Sequence, residues 1–282
     1  MIRFTFLSEN KTDNPGCLAE HGLSIYIETG GKKLLFDTGA SELFLKNAAT
    51  LKIDLAQADA CIISHGHYDH TEGVPGFCRV NQRAPIYIHK DAFGEVYGLE
   101  KGRPEKEKSS IRWSEEQRRA VAGRLVLTDG VHHLTEDIAI SGTIPDLPDG
   151  RMTERFYEKQ PDGSFLPDPM NHEQFLALRD RDELGKSRGV YLFSGCSHKG
   201  VIPVLRYVRT LFPEERILGL IAGMHLYSAA EEVRQRVVSQ VAAEQMELVM
   251  PVHCTGIDAI GDLKAALGER CIVATAGDRY EF

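Results

Sequence analysis

The densest chemistry in the chain lies at Ser64-His65-Gly66-His67-Tyr68-Asp69-His70, where three imidazoles and one carboxylate fall within six residues. Such groups repel one another when charged and lose hydration when buried, and a bound cation resolves both problems. Ala60-Cys61-Ile62-Ile63, immediately before them, reads as a short buried strand. If the backbone stays extended beyond it, His65, His67 and Asp69 project to one side, because side chains alternate with period two, and His70 comes round from the turn. Gly66 lets the backbone pass close to whatever the flanking imidazoles hold. Two histidines with an oxygen donor suit a borderline divalent ion, zinc first, with manganese or iron also admitted.

Three more histidines stand where apolar strands stop. Val190-Tyr191-Leu192-Phe193 runs into Ser194-Gly195-Cys196-Ser197-His198-Lys199-Gly200, Ile217-Leu218-Gly219-Leu220-Ile221 into Gly223-Met224-His225, and Leu248-Val249-Met250-Pro251-Val252 into His253-Cys254-Thr255-Gly256. Each is followed by a helical pattern, and strand ends in α/β folds gather at one edge. By alternation Cys196 and His198 face a common site. Asp37 closes the strand Lys33-Leu34-Leu35-Phe36, where it could be a plain turn former beside Thr38-Gly39.

The remaining elements must carry these residues. Met1 to Leu7 alternates as a first strand, and Gly30-Gly31 turns a hairpin. A helix begins at Ser41, with Leu43, Phe44 and Ala48 on one face. Ser228-x-x-Glu231 reads as a capping box, Asp258 as the cap of a later helix, and Cys271 to Ala274 as the last strand. Residues 98–119 form a charged insertion, a solvated loop, exposed helix or lid, which Trp113 packs onto the body. Residues 145–189, rich in Pro, Asp and Gly, read as an irregular loop region bordering a substrate entrance. His89 ends a strand, and His132-His133 sit in a surface turn.

With 282 residues, 42% hydrophobic and 26% charged, the chain reads as one globular domain over 1–282. A formal charge of −8 argues against nucleic acid, which needs a basic face. No apolar run reaches membrane-spanning length, since Ile217 to Ala230 is only fourteen residues and contains His225. The start of the chain is too short in apolar residues for a signal peptide, and six scattered cysteines read as reduced thiols, so a cytoplasmic protein is expected. Lys199 beside His198, with Lys186 and Arg188 before the same strand, sets local positive charge against the negative whole. A small anionic substrate, phosphate-bearing above all, is expected, with Lys199 and His225 contacting it and His225 able to donate a proton. Oligomeric state is left open.

The pattern His-x-His-x-Asp-His after an apolar strand resembles the metallo-β-lactamase superfamily. Ala19-Glu20-His21-Gly22-Leu23-Ser24, Phe36-Asp37-Thr38-Gly39-Ala40-Ser41, Ser194-Gly195-Cys196-Ser197-His198 and His253-Cys254-Thr255-Gly256 resemble one branch, the 7,8-dihydropterin-6-methyl-4-(β-D-ribofuranosyl)aminobenzene-5′-phosphate synthase-like proteins. The resemblance implies a four-layer αββα sandwich, two mixed sheets flanked by helices, with a dinuclear metal site at one edge. His65, His67 and His198 are assigned to one ion, and Asp69, His70 and His253 to the other, Asp69 and His225 also being expected to act in the reaction. Asp37 would brace the metal loop from behind. Two departures stand out: Glu72 replaces a more usual glycine, and Cys196 takes the place of a bridging aspartate, as bridge, outer thiol or spectator. The implied chemistry is hydrolysis of a small ester, since two divalent ions acidify water and polarise a carbonyl or phosphoryl oxygen. The alternatives are the condensation for which the branch is named, and a non-catalytic metal-binding or redox partner.

Overall fold

The computed structural model describes residues 1–100, 103–147 and 156–282. Its core is two mixed sheets. One orders the strands Arg279–Glu281, Ile2–Ser8, Ser24–Thr29, Lys32–Phe36, Ala60–Ile62, Ile86–His89 and Leu125–Thr128. The first four pair antiparallel and the rest parallel. The other orders Leu248–Pro251, Ile217–Ala222, Ser187–Ser194, Phe175–Arg181, Ile138–Ile140 and His132–Thr135, with its first three strands parallel.

Alternation decides which face meets which layer. Phe4, Phe6, Ile25, Ile27, Leu34, Phe36 and Ile62 of the first sheet pack against Leu176, Leu178, Phe193, Ile221 and Met250 of the second. The opposite face of the first sheet carries Leu35, Cys61 and Ile86 against Phe44 and Ala48 of the helix Leu43–Thr50 and Val74 and Phe77 of Val74–Val80. The opposite face of the second carries Leu192, Leu220 and Val249 against the helices Val201–Leu211, Glu231–Ala243 and Ile257–Leu267. These are the four layers of the expected αββα sandwich. Parallel neighbours need crossover helices, so every parallel strand stops at the same edge and is followed there by a loop.

Several local expectations change. A third sheet, ordered Phe165–Pro167, Phe156–Lys159, Val96–Glu100 and Arg103–Pro104, draws one pair of strands from each region expected to be loop. Within 98–119 the helix Glu115–Ala122 opens on a capping box at Ser114 with Gln117. Within 145–189 the strand Phe175–Arg181 is an internal member of the second sheet, paired on both sides. The Pro and Asp content there belongs to the connections, while the strand itself alternates in the ordinary way. Lys101, Gly102 and residues 148–155, which include Pro148-Asp149-Gly150, lie outside the described residues.

Ser228 does not cap: the helix starts at Glu231 after Ala230, without a side-chain cap. Gly256 rather than Asp258 precedes Ile257–Leu267. Cys271 makes only an isolated bridge to Val249, and the terminal strand is Arg279–Glu281. His132 and His133 lie in a paired edge strand rather than a turn, with the His132 ring 5.0 Å from Tyr87. Trp113 is buried and donates from Nε1 to Thr71 O at 2.9 Å, tying the insertion to the metal loop as expected.

Candidate metal centre

The edge where strands stop gathers the histidines. His65 Nε2 lies 3.3 Å from His198 Nε2, and His70 Nε2 lies 3.2 Å from Cys196 Sγ. His253 Nε2 and His21 Nε2 both lie 3.2 Å from Asp69 Oδ2. Ligand atoms of His65, Cys196 and His198 fall within 4.8 Å of one another, as do those of His70, Cys196 and His253, so Cys196 Sγ belongs to both groups. The rings of His67 and His198 are 4.6 Å apart and those of His198 and His225 4.4 Å.

The backbone is held in uncommon conformations to do this. Asp37, Ser197, His225 and His253 have φ between 48° and 58°, a left-handed region costly for most side chains and tolerated best by Asn, Asp and His. Close approach accounts for the glycines: a Cβ on Gly66 would come 2.3 Å from Ala92 O, and one on Gly195 2.1 Å from Ser64 Oγ.

Buried partners set the loop from behind. Asp37 Oδ1 accepts from Ser64 N and Oδ2 from Ser64 Oγ, each at 2.7 Å, while Oδ2 also meets His70 Nδ1 at 2.7 Å. Glu173, fully buried, accepts from the backbone N–H groups of His198 at 2.6 Å and Lys199 at 2.8 Å. His172 Nδ1 accepts from Gly66 N at 3.1 Å while its Nε2 faces Asp168 Oδ2 at 3.2 Å. Glu9 Oε1 accepts from His253 N at 2.6 Å. Glu72 Oε1 accepts from Arg112 N at 2.8 Å, joining the insertion to the loop.

Burial pushes His65 and His198 well below the usual imidazole value, and neighbouring imidazoles push them further. Burial likewise brings His67 down to about 3. His253 is lowered by burial against the pull of Asp69. For His70 burial acts downward too, but the charges of Asp37 and Asp69 outweigh it and its value is raised. Burial would raise Asp69, yet His70, His21 and His253 hold it well below the carboxylate range. Neutral imidazoles at His65, His67, His198 and His253 beside an ionised Asp69 are the protonation states metal ligation requires, while His70 would have to give up a proton to ligate.

A cation fits this donor set. His67 Nε2 and His253 Nε2 are buried and make no hydrogen bond, although His253 Nε2 is close to Asp69 Oδ2. Buried polar nitrogens without partners are rare, and imidazole, thiol and carboxylate groups together suit zinc and its neighbours, although burial pushes the Cys196 thiol well up, so it would ligate only by losing its proton to the ion.

A cavity of about 510 Å³ opens over these groups, lined by Asp69, His67, His198 and His225 at its floor and by Tyr68, Leu99, Phe156 and Tyr227 among its walls. The Phe156 ring, from the third sheet, stands 4.4 Å from His67 and 5.1 Å from His198. Its volume is in the range of small-molecule sites. No Lys or Arg lines it among the described residues.

The sequence assignments can now be located. His65, His67, Asp69, His70, His198, His253 and Cys196 come together, with Asp37 behind them and His225 on the cavity. Lys199 does not line the cavity: its buried ammonium meets Asp146 at 2.8 Å and Asn171 at 3.2 Å. Arg188 pairs with Asp180 and, with Lys186, sits at the start of the strand whose other end leads to His198, about 20 Å away at roughly 3.3 Å per residue. Sequence reasoning missed Glu9, Asn10, Asp168, His172 and Glu173, and it gave His21 no role. The Glu9-Asn10 pair ends a strand just as the metal residues do, which was the available signal.

The sequence profile of the metallo-beta-lactamase superfamily matches residues 19–148. A Methanocaldococcus jannaschii protein, uncharacterised, is 29% identical over 248 residues, covering 87% of this chain and 88% of its own. The 7,8-dihydropterin-6-methyl-4-(beta-D-ribofuranosyl)-aminobenzene-5′-phosphate synthase of the same organism is 29% identical over 257 residues, covering 86% and 83%. Among solved structures, a metal-dependent hydrolase of the beta-lactamase superfamily superposes with a TM-score of 0.83 at 25% identity, covering 100% of this chain and 99% of that one.

Proposed function

We propose, from the match of residues 19–148 to the metallo-beta-lactamase superfamily and the likeness to its members, that the chain is a metal-dependent hydrolase of a small, phosphate-bearing substrate. The observation that carries this reading is the convergence of His65, His67, Asp69, His70, His198 and His253 under a cavity of about 510 Å³, two of their buried nitrogens lacking any hydrogen bond. His65, His67 and His198 would hold one divalent ion and Asp69, His70 and His253 a second, with Cys196 between them. Zinc is the first choice, manganese or iron the others. Ions bound there would supply Lewis acidity toward a phosphoryl or carbonyl oxygen and acidify water.

The chain's own residues have separable tasks. Asp37 fixes His70 and Ser64, Glu173 fixes the backbone of His198, and Phe156 covers His67 and His198 from water. His225 lies where it can hydrogen-bond the substrate or move a proton. Lys199, engaged with Asp146 and Asn171, would reach an anion only by leaving those partners, so the lining supports recognition of phosphate through the metal centre and His225 more than through lysine.

A second reading, the pterin-forming condensation, is supported by the synthase relative, which is covered over 83% of its length. One experiment separates the two. Purified protein loaded with zinc or manganese is given phosphomonoesters, phosphodiesters and lactones, and in parallel a pterin methyl donor with ribofuranosylaminobenzene 5′-phosphate. Ester turnover that disappears on chelation and returns with metal supports the hydrolase. Condensation without ester turnover replaces it with the transferase, and metal-independent turnover of any substrate overturns both.

A further inference from the structure

Asp69 Oδ2 is approached at the same distance, 3.2 Å, by two imidazole nitrogens, Nε2 of His21 and Nε2 of His253. The three residues form a group with the spacing of a metal site, so distances alone do not separate ligand from neighbour. Asn10 does.

The orientation of the Asn10 carboxamide is determined by backbone groups whose roles are unambiguous. Gly22 N donates to Asn10 Oδ1 at 3.2 Å, and Asn10 Nδ2 donates to His253 O at 3.2 Å. An N–H only donates and a carbonyl only accepts, so the oxygen and nitrogen of the amide are distinguished. The same oxygen lies 2.8 Å from His253 Nδ1, which must therefore be its protonated nitrogen. The same NH₂ group lies 3.2 Å from His21 Nδ1, which must accept. One amide thus imposes opposite tautomers on two rings 4.7 Å apart.

We propose that Asn10 is a positioning residue that makes His253 a ligand and His21 a hydrogen-bond donor. With Nδ1 protonated, His253 presents a lone pair at Nε2 toward a carboxylate oxygen only 3.2 Å away. Two lone pairs face each other there, an arrangement relieved by a cation. With Nδ1 accepting, neutral His21 carries its proton on Nε2 and donates it to Asp69 Oδ2. His21 therefore orients the carboxylate from outside the metal, and its half-exposed ring forms part of the cavity wall. The ligand half of this inference rests on the metal-centre reading above; the tautomers do not.

The test has two parts. In metal-free protein with ¹⁵N-labelled histidine, long-range ¹⁵N–¹H spectra should show His253 as the Nδ1–H form and His21 as the Nε2–H form, with both preferences lost in Asn10→Leu. Either ring in the other tautomer overturns the proposal whether or not metal binds. In zinc titrations against a competing chelator, Asn10→Leu should weaken the second ion by about 10- to 100-fold, the usual effect of losing an outer partner. Asn10→Asp, which keeps the acceptor for His253 but removes the donor to His21, should restore most of that affinity. His21→Ala should keep the zinc stoichiometry and the cobalt absorption spectrum, whereas His253→Ala should change both. If His21→Ala loses an ion as His253→Ala does, His21 is a ligand and the assignment fails. If wild type binds no metal while the tautomers are as stated, the metal-centre reading fails and the role of Asn10 in setting the rings stands. Circular dichroism confirms that each variant is folded.

Discussion

His70 Nδ1 and Asp37 Oδ2 lie 2.7 Å apart with both side chains wholly excluded from solvent. The contact assigns the Nδ1 proton to the side facing Asp37 and leaves Nε2 toward Cys196, so a carboxylate that touches His70 only at its far nitrogen sets the direction of a lone pair.

Asp37→Asn is therefore expected to keep the fold while lowering metal affinity by about 10- to 100-fold. Competition titration with a chromophoric chelator, alongside thermal unfolding, checks this. Unfolding of the variant with unchanged affinity in the folded fraction would make Asp37 a structural residue only.

Two ions per chain are expected in fully loaded protein, and Asp69→Ala with His70→Ala together should abolish or greatly weaken both. Elemental analysis after reconstitution with zinc and with manganese is the measurement, and a ceiling of one ion refutes the dinuclear assignment. If Cys196 lies between the ions as a thiolate, cobalt-substituted protein should show a sulfur-to-metal charge-transfer band that Cys196→Ser removes.

The metal-free protein should lose stability as pH falls. His65, His67, His198 and His253 are held below their unfolded value of about 6.5. Their contribution is complete above that pH and is lost progressively as pH drops, down to about 3 for His67. His70, raised instead, contributes fully below about 6.5 and loses its contribution as pH rises through its folded value. These four rings and His89, also lowered by burial, outnumber His70, the buried carboxyl of Glu173 and the half-buried one of Glu72, whose raised values act the other way, so urea unfolding in chelator should give a lower free energy at pH 5 than at pH 7. Each proton gained on unfolding adds about 1.4 kcal/mol per pH unit to the slope. Greater stability at pH 5 would mean that the buried rings are charged.

Gly195→Ala should be among the most damaging single-methyl additions in the chain. The new Cβ would lie 2.1 Å from Ser64 Oγ, which is itself bonded to Asp37 and to His65 Nδ1 at 2.9 Å. A destabilisation on the order of 1–3 kcal/mol is expected from overpacking, together with reduced metal affinity. Denaturant melts and chelator competition report the two effects separately.

Much of this site could be read from residue order. The apolar strand before His65 and the three later strand ends indicated where the candidate ligands meet, because a parallel strand must stop at the edge from which its crossover helix departs, but the extended backbone expected through Asp69 is absent: Asp69 and His70 stand in the short helix Tyr68–Thr71. The third sheet could not be read that way. Its strands include the five residues Val96–Glu100 and the four of Phe156–Lys159, too short for a periodic signal, and they pair across about 60 positions. The charge run around 98–119 looked like solvated loop because most of its charged residues do face water, while among the described residues Ser109, Ser110, Ile111 and Trp113 turn inward. Lys199 misled for a related reason. Its adjacency to His198 is real in sequence, but the turn at Ser197 sends its side chain to Asp146 and Asn171 instead of the cavity. Asn10 was overlooked because a polar residue after a strand is ordinary until its two imidazole partners are known.

The pairing of Ile2–Ser8 with Arg279–Glu281 and the position of His253 bear on the order of events during synthesis. About 180 residues separate His70 from His253, an interval of roughly 9–37 s at about 5–20 residues per second. Throughout it the emerging chain displays His65, His67, Asp69 and His70 without their later partners, and the first sheet lacks its edge strand. An incomplete set of imidazoles favours copper over zinc by intrinsic affinity, so if the centre binds zinc as proposed, this interval is when a competing ion would have its best opportunity. On the proposed reading, the full donor set that would select the proper ion exists only once Asn10 meets His253.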